Sequence, residues 1–274
     1  FMEKVKQGKN RVNISNLNPD DNSDETISGG YLLEKGWGFS EAIGIRTPIY
    51  EDELQFISPK AVDITSAQRR YLETYFENFE QALSSSSFTD PLVGYEKYID
   101  VDSFIDHHLL VELARNVDGY VLSTYLHKER NGKLQMGPIW DYNGSLGNAD
   151  YFEAWLPQGW HYLNPEFPAD NPNSYRWYQR LWEDPLFVSR YAERWRQLRT
   201  THLSDERIMS DIDTVHGLLV ESAGRNFAWW DILGQYIWPN DSGYSDRNSY
   251  DDEIVYLKSW LSQRVHWMDE QLAN

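Results

Sequence analysis

Two aspartates, Asp118 and Asp141, flank a pair of strand-like runs in the stretch N-V-D-G-Y-V-L-S-T-Y-L-H-K-E-R-N-G-K-L-Q-M-G-P-I-W-D-Y-N-G-S-L-G-N, Asn116 to Asn148. Between the runs, Asn131-Gly132 is a strong hairpin signal, because tight β-turns need residues that tolerate left-handed backbone. A hairpin returns its outer ends to one another, so the spacing predicts Asp118 and Asp141 side by side at one sheet edge. Paired carboxylates there can hold a divalent cation, or divide into a proton acceptor and a metal ligand. Phosphoryl transfer on a nucleotide requires that arrangement. Taken singly, each is also an ordinary turn residue, Asp118 before Gly119 and Asp141 opening Asp-Tyr-Asn-Gly.

The elements that must position this pair follow from periodicity and punctuation. Arg11–Ile14, Tyr31–Glu34 and Glu53–Ile57 read as short strands, the first two separated by the polar loop Asn16–Ser28. Thr65-Ser66-Ala67-Gln68 is a capping box. It opens a helix over Ala67–Leu83, with Leu72, Tyr75, Phe76, Phe79 and Leu83 at helical spacing. A second helix, Val101–Arg115, leads into Asn116, and the hairpin strands are expected near Tyr120–His127 and Lys133–Ile139. Asp106 and Glu112 are expected on the exposed face of that helix, and the adjacent His107 and His108 diverge too far to share a metal. An irregular aromatic segment, Tyr151–Asn173, follows. Asp184-Pro185 starts a helix to Arg199, Ser204 opens another, and Asp251–Leu272 forms the last. The layout is α+β: β-rich over residues 1–64, then mainly helical over 65–274 with a central hairpin at 120–139.

Composition narrows the partners. The 274-residue chain carries 43 acidic and 25 basic residues, a net charge of −18, which disfavours nucleic acid and anionic membranes. No apolar run reaches the length of a membrane span. The same charge opposes ATP unless local basic residues or a metal offset it. Lys4, Lys6, Lys9 and Arg11 are the dense basic run near the start, readable as phosphate contacts or as a solvated strand face. The absence of cysteine removes disulfides and thiolate metal sites. Twelve tryptophans and eighteen tyrosines read chiefly as core filling, with Trp195, Trp260 and Trp267 inside predicted helices. Exposed rings in the crowded Trp155, Trp160, Tyr162, Trp177, Tyr178, Trp182 region would instead suit a glycan, although no glycosidase motif accompanies them.

The N-x-D, S-T-Y, G-K-L, G-P-x-W-D and L-G-N elements occur in one order and spacing. With E-K-V-K-Q-G-K-N-R-V-N-I from Glu3, S-G-G-Y-L-L-E from Ser28 and R-V-H-W-M-D from Arg264, they resemble the spore coat protein H (CotH) kinase family across nearly the whole chain. Its members are secreted or surface bacterial proteins similar to an atypical protein kinase. The resemblance implies one kinase-like domain whose N-terminal lobe is truncated to residues 1–64. It also implies ATP with Mg2+ and transfer of the γ-phosphoryl to Ser or Thr of a secreted or surface protein. Asp118 would be the catalytic group, Asp141 the metal ligand and Asn143 an auxiliary metal or phosphate contact. Asn116 would support Asp118 by hydrogen bonding. Glu3 would orient a phosphate-contacting lysine such as Lys6, and Glu34 matches a further acidic position. Two positions depart from the pattern. Asn143 replaces a frequent Asp, and Ser123 stands where kinases carry a metal-binding Asn, so an uncharged and a poorer ligand replace better ones. The alternative expectation is a weak pseudokinase, or a surface protein using the fold to bind a protein or glycan.

Overall fold

The computed structural model describes residues 3–164 and 176–273. β1 (Tyr31–Lys35) lies in the middle of a five-stranded sheet with β2 (Gly44–Arg46), β3 (Glu53–Ser58), β4 (Thr124–Lys128) and β5 (Leu134–Met136). The strand order is β2-β3-β1-β4-β5, every neighbour antiparallel. The hairpin β4–β5 therefore extends the sheet begun by the N-terminal strands, Leu33 pairing with Leu126 and Glu34 with Tyr125.

α1 (Ser66–Ser84) covers one face. Its capping box forms as expected, Thr65 accepting from the Gln68 backbone and Gln68 returning a bond to Thr65, a device worth about 1 kcal/mol. Tyr31 meets the helix through a bond to the Gln68 carbonyl and a stack on Tyr71. The opposite face, with Leu32 and Tyr125, is covered by Val5, Val12 and Ile14. Here the expected strand Arg11–Ile14 does not form. Arg11 turns back onto Gly8 and a lone bridge joins Gln7 to Val12. The alternation of Val12 and Ile14 reports burial against a sheet, not membership of one. β2 escapes periodicity because three residues cannot show it. The hairpin strands are shorter than expected, and a loop over 129–133 joins them, with Asn131 rather than Gly132 in left-handed backbone (φ 54°).

α2 (Val101–Ala114), α3 (Arg176–Leu181), α4 (Pro185–Arg199), α5 (Asp205–Trp229) and α6 (Tyr250–Gln271) complete the helices among the described residues. Contacts divide the chain into two compact units, one falling in Phe1–His108, Asp118–Asp141 and Pro168–Val188, the other in Leu109–Val117, Tyr142–Phe167 and Ser189–Asn274. The first holds the sheet. The second is centred on Arg264, fully buried, whose guanidinium binds the Glu112 carboxylate at 3.3 Å and the carbonyls of Pro157 and Gly159. Glu112 is thus not on an exposed face. It is fully buried and also accepts the backbone N–H groups of His161 and Tyr162 at 2.7 and 2.9 Å, while Asp106 is half-buried. Trp195 and Trp260 fill cores as expected. Positions 165–173 of the irregular segment lie outside the described residues. No helix among those described is long and apolar enough to cross a membrane.

Candidate functional site

The chain reaches Asp118 by ending α2 abruptly. Arg115 takes left-handed backbone (φ 45°), which stops the helix, and the backbone N–H groups of Val121 and Leu122 then close a turn on the Asp118 carbonyl at 2.9 and 2.8 Å. The buried Thr124 hydroxyl, 2.9 Å from the Gly119 carbonyl and 3.0 Å from that of Leu122, ties this turn to the start of β4. On the other side, β5 runs out through Gly137, whose N–H binds the Tyr125 carbonyl at 2.8 Å, and Trp140 to Asp141.

The two carboxylates come within each other's field. Burial raises the Asp118 pKa above the ordinary aspartate value, and the negative charge of Asp141 raises it further. Ser123 donates its hydroxyl to Asp141 Oδ2 at 3.3 Å. Both residues hold left-handed backbone, φ 51° and 62°, a conformation costly for side chains with a Cβ and found where local geometry is tightly determined. The cross-strand pair Glu34–Tyr125 lies nearby: burial raises both pKa values, and Asp141 adds to the rise at the Tyr125 phenol.

A cleft of about 540 Å³ is walled by Glu3, Lys6, Arg11, His127, Ile139 and Trp140, the last of them the residue before Asp141. Its volume lies in the range of small-molecule sites. Apolar walls from Val5, Val12 and Trp140 face basic groups from Lys4, Lys6 and Arg11. Glu3 is ion-paired with Arg11. The cleft therefore gathers the expected Glu3 and Lys6, and its Trp140 wall leads directly to Asp141. Asn116 and Asn143 belong to the second unit. Asn116 is buried with its side chain beside the Tyr142 hydroxyl. Asn143 is exposed, its carbonyl accepting from the Asn148 side chain at 3.1 Å.

Other polar groups serve the core. His107 contacts the Tyr178 hydroxyl at 2.9 Å and His108 accepts from the Trp182 indole at 3.2 Å; the two rings do not diverge as expected, since both pack against Tyr120 and Tyr178. Lys35 is buried against Asp52 at 2.6 Å, and Lys128 stands 4.7 Å from the Tyr75 ring centre with its pKa pushed down to about 8 by burial. The cleft residues His127, Ile139 and Trp140 were not singled out from sequence. Their only signal there is the hairpin itself, whose register against β1 decides which side chains share a face.

Among the described residues, no group of three or more acidic or histidine side chains gathers to hold a metal. The donors at this point are two carboxylates and a hydroxyl. That set fits magnesium, a hard cation that keeps much of its coordination in water and phosphate oxygen. Residues 2–268 match the family model described as CotH kinase protein. No curated protein matches the chain.

Proposed function

The chain belongs to the CotH kinase family, and from that premise we propose that it transfers the γ-phosphoryl group of ATP to a Ser or Thr hydroxyl on a secreted or surface protein, such as a spore-coat component. The observation that carries this reading is that Asp141 feels both Asp118 and Ser123 and directly follows Trp140, a wall of a cleft that combines apolar and basic groups. The apolar walls suit a nucleoside, and Lys4, Lys6 and Arg11 offset phosphate charge in an otherwise acidic protein. Asp118 accepts the proton of the attacking hydroxyl as its oxygen bonds to the γ-phosphorus and ADP departs. Its raised pKa makes it a stronger base than an ordinary aspartate. Magnesium held by Asp141, with Ser123 as an auxiliary contact, would neutralise the phosphate oxygens.

A second reading, a catalytically weak pseudokinase or a surface protein that binds a protein or glycan partner, is favoured by the small number of charged metal donors. Calorimetry of ATP binding with and without magnesium separates the two. Magnesium-dependent binding that Asp141→Ala abolishes supports the kinase. A folded protein that binds no nucleotide under either condition leaves the binding-protein reading.

A further inference from the structure

α5 packs on α6 along one side only. His216 and Phe227 face Tyr250, and Lys258 is ion-paired with Asp213. About a quarter-turn away around the helix, Val215, Leu218, Leu219 and Trp229 fall at three- and four-residue steps with Ser222 and Asn226 between them, which places them on one continuous stripe. The stripe is open: Leu218 is 76% exposed and Trp229 85%. Trp230, which caps the helix, is 66% exposed. Isolated apolar side chains on a surface are ordinary, but here Val215, Leu218 and Leu219 adjoin one another, and Trp229 shares their face of the 25-residue helix beyond Ser222 and Asn226. With the capping Trp230, these side chains expose on the order of 700 Å², taking a tryptophan at up to about 250 Å². A standard stable interface buries about 800 Å² per partner.

We infer that this face of α5 is a self-association surface whose occupant is α5 of a second copy, antiparallel across a twofold axis. The charge pattern along the helix selects the partner. Centring the pair on Leu218 sets Leu218 against its own equivalent, Arg225 against Asp211 of the second copy, and Trp229 against its Arg207. The dimer seam thus holds two ion pairs and two cation–π contacts, one of each in either direction across the twofold. Within one chain, Arg207 already pairs with Asp211 at 2.8 Å and Arg225 with Glu221 at 2.6 Å, so both cations are held along the helix in reach of the seam. The net charge of −18 on each copy opposes association, so the apolar stripe must overcome long-range repulsion that salt screens. Dimerisation accordingly strengthens as salt is raised, the reverse of a contact made by ion pairs alone.

Sedimentation velocity over a concentration series at low and high salt tests this. The expected result is a monomer–dimer equilibrium that tightens with salt and that Leu218→Asp abolishes, with circular dichroism unchanged because the side chain is exposed. Asp211→Arg, which sets arginine against arginine, weakens the dimer at least tenfold, and the exchange Asp211→Arg with Arg225→Asp restores it. A strict monomer at every concentration and salt, a dimer indifferent to Leu218→Asp, or an exchange variant that fails to recover would each overturn the inference.

Discussion

Ser123 and Asp141 are hydrogen-bonded to one another while both hold left-handed backbone. Two residues eighteen positions apart in sequence are thereby locked into a conformation that neither favours alone. Glycine at 123 relieves backbone strain of about 1 kcal/mol but removes the hydroxyl. Ser123→Gly is expected to keep or slightly raise the melting temperature while phosphoryl transfer drops about tenfold, the scale of a lost hydrogen bond to a charged group. A matched fall in stability and activity would mean that Ser123 serves the fold alone.

Asp118→Asn keeps the shape of the turn and removes the proposed base. The kcat should fall by roughly 10²- to 10⁴-fold, with ATP affinity in calorimetry changed only a few-fold. A large loss of nucleotide affinity with kcat intact would reassign Asp118 to ligand binding.

Glu112→Gln leaves the buried Arg264 guanidinium without its counter-charge. Breaking such a pair from one side costs about 3–5 kcal/mol, measurable as a lower urea midpoint with unchanged slope. A shift below about 1 kcal/mol would show the pair to be solvent-screened.

His107 and His161 are both held neutral by burial, with Lys35 adding to the effect at His107 and Arg115 and Arg264 at His161; each pKa is pushed down to about 3. A depressed histidine stabilises the fold fully above its unfolded value near 6.5 and loses that contribution as pH falls toward 3. Each should cost about 2 kcal/mol by about pH 5. In denaturation curves across that window, His107→Gln should lose less stability on acidification than the wild type; parallel curves would refute the assignment.

Asp52 runs the other way. Its burial outweighs the attraction of Lys35 and pushes its pKa up to about 6, so the folded state holds a proton that the unfolded chain releases near 4. Stability from this group is present below about pH 4 and declines as pH rises to about 6. Relative to Asp52→Asn, the wild type should lose about 3 kcal/mol across that interval and then level off. An unchanged difference would mean that Lys35 repays the burial in full.

Local chemistry determined much of this protein from sequence alone. The Thr65–Gln68 capping box, the Ser204 cap and the helical apolar spacing located α1 and α6 and the start of α5 to within a residue or two, because those signals act over a single turn; the end of α5, ten residues beyond Leu219, was not marked. Likewise, Asn131-Gly132 marked the hairpin that brings Asp118 and Asp141 near one another. Tertiary structure decided the rest. That β4–β5 completes the sheet of β1–β3, that Val12 and Ile14 cover that sheet without joining it, and that Glu112 is buried against Arg264 all depend on residues separated by tens to more than a hundred positions. A carboxylate on a helix carries no sequence mark of the arginine that will reach it. The cleft that ends at Trp140, next to Asp141, exists for the same reason: its walls come from residues 3–13 and 127–140, brought together by packing of Val5 and Val12 onto the sheet beside Tyr125 and Trp140.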